Sequence, residues 1–338
     1  MDNLLQKLHK NWDHFQLSTT ADNVKIPTAS RNPLTVVVCV SGGSDSVALL
    51  HLLQRQRTLL NLELHILYLN HQLREEASQE QDFVQSLADL YKIPFHHKTA
   101  KHLKSGQSAL QESAREWRIE ESRKLLKHLG GGRIATGHQA DDQIETLLLK
   151  WLRGTHISNL QGMQWKNESF IRPLLNCRKI ELKEYLKTKQ LKWMEDTSNM
   201  STAYMRNRVR IELIPLLDEL TRHGLHSRIN DLSEQSRLLR DFLDSDYENW
   251  QQSLKNTADN SQDMLPVKVL EQANDLLQQE ILHNFITART GKALSYRKLQ
   301  SIFIQLHTGS NHWEMHLSQE WKIRKSGKEL CLQQNQVQ

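Results

Sequence analysis

Six consecutive residues, Ser41-Gly42-Gly43-Ser44-Asp45-Ser46, concentrate more chemistry than any other stretch of the chain. Two adjacent glycines open backbone angles that other residues avoid and let the main chain approach a ligand closely. Three hydroxyls add donors. A helix starting at this point would aim its free N–H groups and the positive end of its dipole at the same spot, which makes a cradle for a di- or triphosphate. The plainer alternative is a tight turn closed by a Ser or Asp cap, since Gly, Ser and Asp are ordinary turn and cap residues. The complete string at a strand-to-helix junction favours phosphate. The string lacks the Gly-Lys-Ser/Thr of a Walker loop and the G-x-G-x-x-G spacing of a dinucleotide fingerprint.

Further groups recur where strands are expected to end. Asp141-Asp142 follows a short apolar run ending at Thr136; carboxylates there suit a Mg²⁺ bridging nucleotide oxygens, or else simply an acidic helix start. Asn70-His71 and Arg74 follow a second apolar run, and His138 precedes the aspartates. Arg115 and Arg118 stand three apart on one helix face, one turn after Glu112, where a solvated salt-bridged face is the default. Asp196, Asn199, Arg206, Asn207 and Arg210 crowd into one polar segment. There Arg206, Arg208 and Arg210 could contact phosphates. Basic residues gather upstream at Arg172, Arg178, Lys179, Lys183, Lys187, Lys189 and Lys192, while Trp193 and Tyr204 could stack on a base or sit in the core.

The elements that must position these groups follow from periodicity. Residues 1–15 have helical apolar spacing, and 18–33 read as a polar connector. The run at 34–40 is the mark of a strand buried on both faces, with a helix over 47–56 and a second strand over 62–69. Helices are expected at 79–91, 109–129 and 140–152, alternating with strands at 93–97 and 133–136. Repeated βα pairs imply an α/β, doubly wound, mainly parallel sheet with its ligand crevice at the carboxyl ends of the strands. After Pro215 the strand signal fades into helices at 227–250, 270–289 and 295–306, with a small hairpin near 313–332. The expected organisation is therefore an N-terminal helix and connector (1–33), a catalytic domain (34–215) and a mostly helical C-terminal domain (216–338).

Bulk properties set outer limits. The chain of 338 residues carries a net charge of +5, compatible with a nucleic-acid partner without requiring one. Three scattered cysteines, Cys39, Cys177 and Cys331, argue against a disulfide framework or thiolate cluster and fit a reducing cytoplasm. No apolar run is long enough for a membrane span, and residues 1–12 lack the pattern of a secretory signal.

The string SGGSDS resembles the SGGxDS signature of the PP-loop (N-type) ATP pyrophosphatases, which cleave ATP between its α- and β-phosphates. Within that group the chain is most similar to the tRNA(Ile)-lysidine synthetase family. The likeness is carried by Leu69-Asn70-His71-Gln72-Leu73-Arg74, Glu112-Ser113-Ala114-Arg115-Glu116-Trp117-Arg118 and Thr136-Gly137-His138-Gln139-Ala140-Asp141-Asp142-Gln143-Ile144-Glu145-Thr146. It continues through Ile171-Arg172-Pro173-Leu174, Trp193, Glu195-Asp196-Thr197-Ser198-Asn199 and Arg206-Asn207-Arg208-Val209-Arg210. It covers about 34–215 closely and the rest more loosely.

The resemblance implies an adenine nucleotide alpha-hydrolase-like fold, with ATP and Mg²⁺ as cofactors. It implies roles for Asp45 and Asp142 in catalysis and metal binding and for Arg115 in offsetting charge on the transferring AMP. Ser41 to Ser46 and His71 would hold the nucleotide. Arg74, Arg118, Asp196, Asn199, Arg206, Asn207 and Arg210 would face the tRNA or lysine. The implied reaction adenylates the wobble cytidine of a tRNA(Ile) with a CAU anticodon and then joins free lysine to it, in the cytoplasm. The oligomeric state is left open, with a homodimer as one option. Longer family members carry a second C-terminal domain and a compact form also exists; this chain is expected to be of the compact kind, which puts acceptor-end recognition as found in the longer members in doubt. The rivals are a PP-loop tRNA thiolase, which would need paired cysteines or an iron–sulfur cluster, and a non-catalytic nucleotide- or tRNA-binding protein.

Overall fold

The computed structural model describes residues 3–18, 32–70, 77–100, 110–195, 205–255, 264–291 and 294–335. The chain forms two compact units, Met1–Thr146 with Gly162–His226, and Leu147–Gln161 with Ser227–Gln338.

The first unit is built on a six-stranded sheet. Its strands are β1 (Leu34–Cys39), β2 (Leu62–Asn70), β3 (Phe95–Thr99), β4 (Arg133–Ala135), β5 (Lys166–Asn167) and β6 (Phe170–Ile171), in the order β3-β2-β1-β4-β6-β5. All neighbours are parallel except β5 and β6. Helices α1 (Asn3–His14), α2 (Ser44–Gln56), α3 (Ala77–Tyr91), α4 (Leu110–His128), α5 (Ala140–Leu152) and α6 (Lys179–Thr188) accompany it. The period of two in β1 explains why helices cover both faces. Val36, Val38 and Val40 share a core with Leu49, Leu52 and Leu53 of α2, whereas Val37 joins Leu67, Leu126 and Ile134 on the opposite face. The order of the strands matters for function. From β1 the chain moves outward to β2 and β3, then returns to lay β4 on the other side of β1. A switch point of that kind opens a crevice at the carboxyl ends of β1 and β4.

Helix α1, set apart in the sequence reading, packs into this same core through Leu4, Leu8 and Trp12. Each such fully buried leucine is worth about 1.5–3 kcal/mol over an exposed one. The Asn11 side chain donates to the Pro173 carbonyl at 2.9 Å and to Asn176 Oδ1 at 2.8 Å, and Lys7 pairs with Glu181 at 3.2 Å. Beyond α6 the chain continues through α7 (Met205–Arg208), one π turn (Val209–Leu213) and α8 (Ile214–Leu220).

The second unit contains most of α9 (Leu225–Lys255), then β7 (Met264–Pro266), α10 (Val267–Leu270), α11 (Asp275–Thr290) and α12 (Tyr296–Thr308). Strands β8 (His312–His316), β9 (Trp321–Ser326) and β10 (Glu329–Gln334) follow. Asn274 caps α11 by accepting from the Leu277 amide, and Gly291 ends it in the left-handed region. The expected terminal hairpin is part of a larger antiparallel sheet, in the order β7-β10-β9-β8. The extra strand is a three-residue segment too short to show alternation in the sequence; Leu265 binds it to a core with Ile281, Ile302, Ile323 and Leu330. Among the described residues no helix is long and apolar enough to cross a membrane.

Candidate active site

Strand β1 ends directly in the glycine loop, and α2 begins at Ser44 with Gly43 as its N-cap. Among the described residues no side chain caps this helix, which leaves the amides of its first turn to a ligand. Gly42 has φ +88°, a left-handed value that a side chain would strain. A Cβ there would also meet Met194 Cγ at 3.4 Å, because the Met194 amide donates to the Gly42 carbonyl at 2.9 Å and brings the 190s across the loop.

The hydroxyls do not all face a ligand. Ser46 Oγ donates to the Gly43 carbonyl at 3.0 Å and accepts from the Ser41 amide at 3.2 Å, which ties the loop to itself. Ser44 Oγ donates to Asp45 Oδ1 at 3.0 Å. The cradle is thus mainly backbone, with Ser41 exposed at its mouth.

The second half of the site comes off β4. The Thr136 amide donates to the Ile171 carbonyl at 3.1 Å, and the chain then turns through Gly137 across the glycine loop. A Cβ on Gly137 would meet the Asp45 carbonyl carbon and the Ser46 nitrogen at 3.1 Å, so only glycine permits this approach without displacement. His138 follows, its Nδ1 2.8 Å from Thr136 Oγ1. Burial, then the charges of Arg172, Arg206, Arg118 and Arg115, push its imidazole down to about 3, which keeps it neutral.

Helix α5 then presents the carboxylates. Asp142 Oδ2 accepts from the Gln139 amide at 3.0 Å and caps the helix. Asp45 and Asp142 are close enough for each to feel Lys179. Burial raises the Asp45 carboxyl; Lys179 opposes the shift and the charge of Asp142 adds to it. Burial likewise raises Asp142, against the Gln139 amide and the charges of Arg210, Arg206 and Lys179. Two raised carboxyls facing each other favour anything that brings positive charge between them. Asp141 behaves differently. Burial works against its ionisation, but His226 Nε2 at 3.3 Å and the Lys179 amide at 2.8 Å outweigh this and hold it below the usual range. It ties α5 to the starts of α6 and α9.

One further carboxylate organises the arginines. Glu145 is 0% exposed and lies one turn beyond Asp142. It accepts from Arg206 Nε at 2.8 Å and, through its other oxygen, from Arg210 Nε. Arg210 also reaches Asp142 Oδ1 at 3.4 Å, and Arg206 approaches it at 4.0 Å. Arg208 turns away to Glu212 at 3.2 Å, and Asn207 lies on the same short helix.

The expected residues thus sort into those the fold gathers and those it leaves elsewhere. Ser41 to Ser46, Asp142, Arg115, Arg118, Arg206 and Arg210 gather at the carboxyl rim. His71, Arg74, Asp196, Asn199 and Tyr204 lie outside the described residues. Trp193 packs against the core and donates to Glu195 at 2.9 Å. Three residues at the site were named only within longer runs and given no role of their own. Glu145 was recoverable from its three-residue offset from Asp142, which puts both on one helix face. Gly137 stood inside a motif block and Lys179 inside a basic run, and neither was set apart from its neighbours. None of the three cysteines forms a disulfide among the described residues. Burial pushes the Cys39 thiol up to about 11 and the Cys177 thiol up to about 12, despite the Ser122 hydroxyl beside Cys39 and Lys7 near Cys177.

Comparison with known proteins finds relatives for most of the chain. A PP-loop domain model matches residues 16–217. The tRNA(Ile)-lysidine synthase of Chlorobaculum tepidum is 35% identical over 213 residues, covering 62% of this chain and 64% of that protein. The enzyme of the same name from Enterococcus faecalis is 30% identical over 316 residues, covering 90% of this chain and 67% of that protein. The chain therefore spans about two thirds of the length of these relatives. Among solved structures, a U34-tRNA thiolase from Methanococcus maripaludis with a [4Fe-4S] cluster aligns with a TM-score of 0.54 at 16% identity, over 70% of this chain and 79% of that one, a likeness of fold.

Proposed function

The chain belongs to the PP-loop family, and within it to the tRNA(Ile)-lysidine synthases, and on that premise we propose that it joins lysine to C2 of the wobble cytidine in a tRNA(Ile) with a CAU anticodon. The observation that carries this reading is the meeting of the uncapped α2 N-terminus with Asp45 and Asp142 at the switch point of the sheet.

In the proposed reaction the cytidine O2 attacks the α-phosphorus of ATP, and the bond to the β-phosphate oxygen breaks to release pyrophosphate. The first-turn amides of α2 and its dipole stabilise the charge gathering on the departing group. Adenylation turns the C2 oxygen into part of a leaving group. The ε-amine of lysine then attacks C2, the C2–O bond breaks, and AMP departs. The amine must lose a proton, and a buried carboxylate with a raised pKa is suited to accept it. Asp142 is our candidate for this role.

Asp45 and Asp142 fit a Mg²⁺ ion. Burial raises both carboxyls in spite of Lys179 near both and Arg210 at 3.4 Å from Asp142, and the charge of Asp142 raises Asp45 further, so a cation between them would be favoured. Two carboxylates completed by phosphate oxygens and water are a donor set that Mg²⁺ accepts. When bound, the ion would neutralise phosphate charge.

We assign the reaction to 34–215 and tRNA docking to 216–338, in the cytoplasm, with tRNA and free lysine as partners. Sedimentation of the full chain decides between a monomer and a homodimer. The thiolase reading has less support: the three cysteines are scattered along the chain, and burial pushes two of their thiols up to about 11 and about 12.

The test is incorporation of labelled lysine into tRNA(Ile) with a CAU anticodon, in the presence of ATP and Mg²⁺. Labelling of that tRNA but not of tRNA(Met), lost in Asp45→Ala, is the expected result. Cleavage of ATP to AMP and pyrophosphate without lysine transfer would sink the lysidine reading and keep only the ATP chemistry.

A further inference from the structure

We propose that Arg115, Arg118, Arg172 and Arg206 form a second anion site beside the glycine loop, and that it holds a phosphodiester group of the RNA next to the base being modified. This rests on the functional reading above and specifies where that RNA is gripped.

Four positions from three parts of the chain reach one place for reasons of topology. The Thr136 amide bonds the Ile171 carbonyl at 3.1 Å, so His138 and Arg172 leave adjacent strand ends side by side. Helix α4 is pinned where Ser122 Oγ, donating to the Arg118 carbonyl at 2.7 Å, sits 3.7 Å from Cys39 Sγ at the end of β1. Arg118 and Arg115 lie one and two turns nearer the start of that helix, toward the carboxyl rim. Arg206 comes in from α7 and is anchored on Glu145.

The charge is not compensated. Arg206 shares Glu145, but Arg115, Arg118 and Arg172 have no carboxylate partner among the described residues. Arg172 Nη1 donates to the Gln164 carbonyl at 2.6 Å, which fixes its guanidinium and leaves Nε buried without an acceptor. A buried donor of this kind is costly until an acceptor arrives. At the centre stands His138, whose imidazole feels all four positive charges. Convergent guanidinium groups match the paired oxygens of a phosphate better than lysines would.

An RNA phosphate suits the site better than the ATP polyphosphate does. The polyphosphate is already served by the first-turn amides of α2. Gly137, packed against Asp45 and Ser46, marks where that cradle ends, and His138, which feels the four arginine charges, is the next residue. A nucleotide whose base O2 lies over the α-phosphate would carry its own phosphodiester to this neighbouring position.

The experiment measures binding of a fluorescent CAU anticodon stem-loop to the full chain over a series of KCl concentrations, alongside calorimetric binding of a non-hydrolysable ATP analogue. In Arg172→Gln the stem-loop should bind roughly tenfold more weakly. The slope of log affinity against log salt should fall by about 0.7, as for one lost contact to single-stranded phosphate. Arg115→Gln, at an exposed position, should show a fall of the same kind, while Arg172→Lys should keep the slope. The ATP analogue should bind each variant within about twofold of the unmodified chain, a margin worth about 0.4 kcal/mol. Stem-loop binding with an unchanged slope in both glutamine variants would overturn the inference alone. Loss of ATP binding with RNA binding intact would also overturn it and give the arginines to the polyphosphate. An unmodified chain that binds no CAU stem-loop would remove both this inference and the reading it rests on.

Discussion

The Gly137→Ala variant tests the site where its geometry is tightest. The added Cβ would sit 3.1 Å from the Asp45 carbonyl carbon and the Ser46 nitrogen and 3.2 Å from the Asp45 oxygen, all backbone atoms of the first turn of α2. Those atoms cannot rotate away as a side chain could, so the crossing loop or the helix start must shift by a few tenths of an ångström. Overpacking of this kind costs about 1–3 kcal/mol. If all of it falls on folding, the melting temperature should drop by about 2–12 °C for a unit of this size. If it falls on the aligned amides instead, ATP affinity should drop about 5- to 150-fold. Gly43→Ala is the internal control, although it alters a motif glycine. Its φ is −71°, and its Cβ would meet only Ser41 Oγ, at 3.6 Å, so thermal stability should stay within about 0.5 kcal/mol of wild type. Scanning calorimetry and ATP titration on the two variants give the comparison. A Gly137→Ala protein that melts and binds ATP like the unmodified chain would show that the two loops do not approach as described.

Three other outcomes follow from the same geometry. Glu145 is fully buried while Arg206 and Arg210 are 49% and 31% exposed, so the arginines can turn to water but the carboxylate cannot. Urea unfolding should therefore show the Arg206→Met/Arg210→Met pair losing about 3–5 kcal/mol and Glu145→Gln distinctly less, and the reverse order would contradict the burial argument. His138, held neutral to about 3, ionises in the unfolded chain near 6.5. Its contribution to stability is complete above pH 6.5 and lost as pH falls toward 3. Between pH 7.5 and 5.5 the unmodified chain should lose roughly 1.4 kcal/mol more than His138→Asn, read from stability measured against pH. Finally, with the Cys39 and Cys177 thiols pushed up to about 11 and about 12, iodoacetamide at pH 8 should leave both unmodified by mass spectrometry and ATP cleavage intact.

Much of the fold was legible because its signals are local. A continuous apolar run such as 34–40 can satisfy its backbone and bury both faces only inside a sheet, and SGGSDS directly after it has few alternatives to a phosphate-binding turn. The spacing of helices and strands sufficed for a doubly wound sheet, and the ordered motif blocks for the family. The four-stranded sheet of the second unit was less visible, since the short β7 shows no period and is defined by its partner β10. The assignment of Leu147–Gln161 to that unit was hidden for a similar reason: α5 runs unbroken through the boundary.

The sequence by itself therefore determined which groups this protein has to work with: the glycine loop, Asp45, Asp142 and a surplus of arginines. Only the tertiary structure decided how they are used. It turned the Ser46 hydroxyl inward, gave Asp141 to His226, set Glu145 between Arg206 and Arg210, and left Arg115, Arg118 and Arg172 without a carboxylate partner among the described residues, near a neutral His138. Composition and spacing are properties of the chain. Burial and the distances between charges exist only once β4 has been laid beside β1, and they set whether a carboxyl ionises and whether a guanidinium is satisfied.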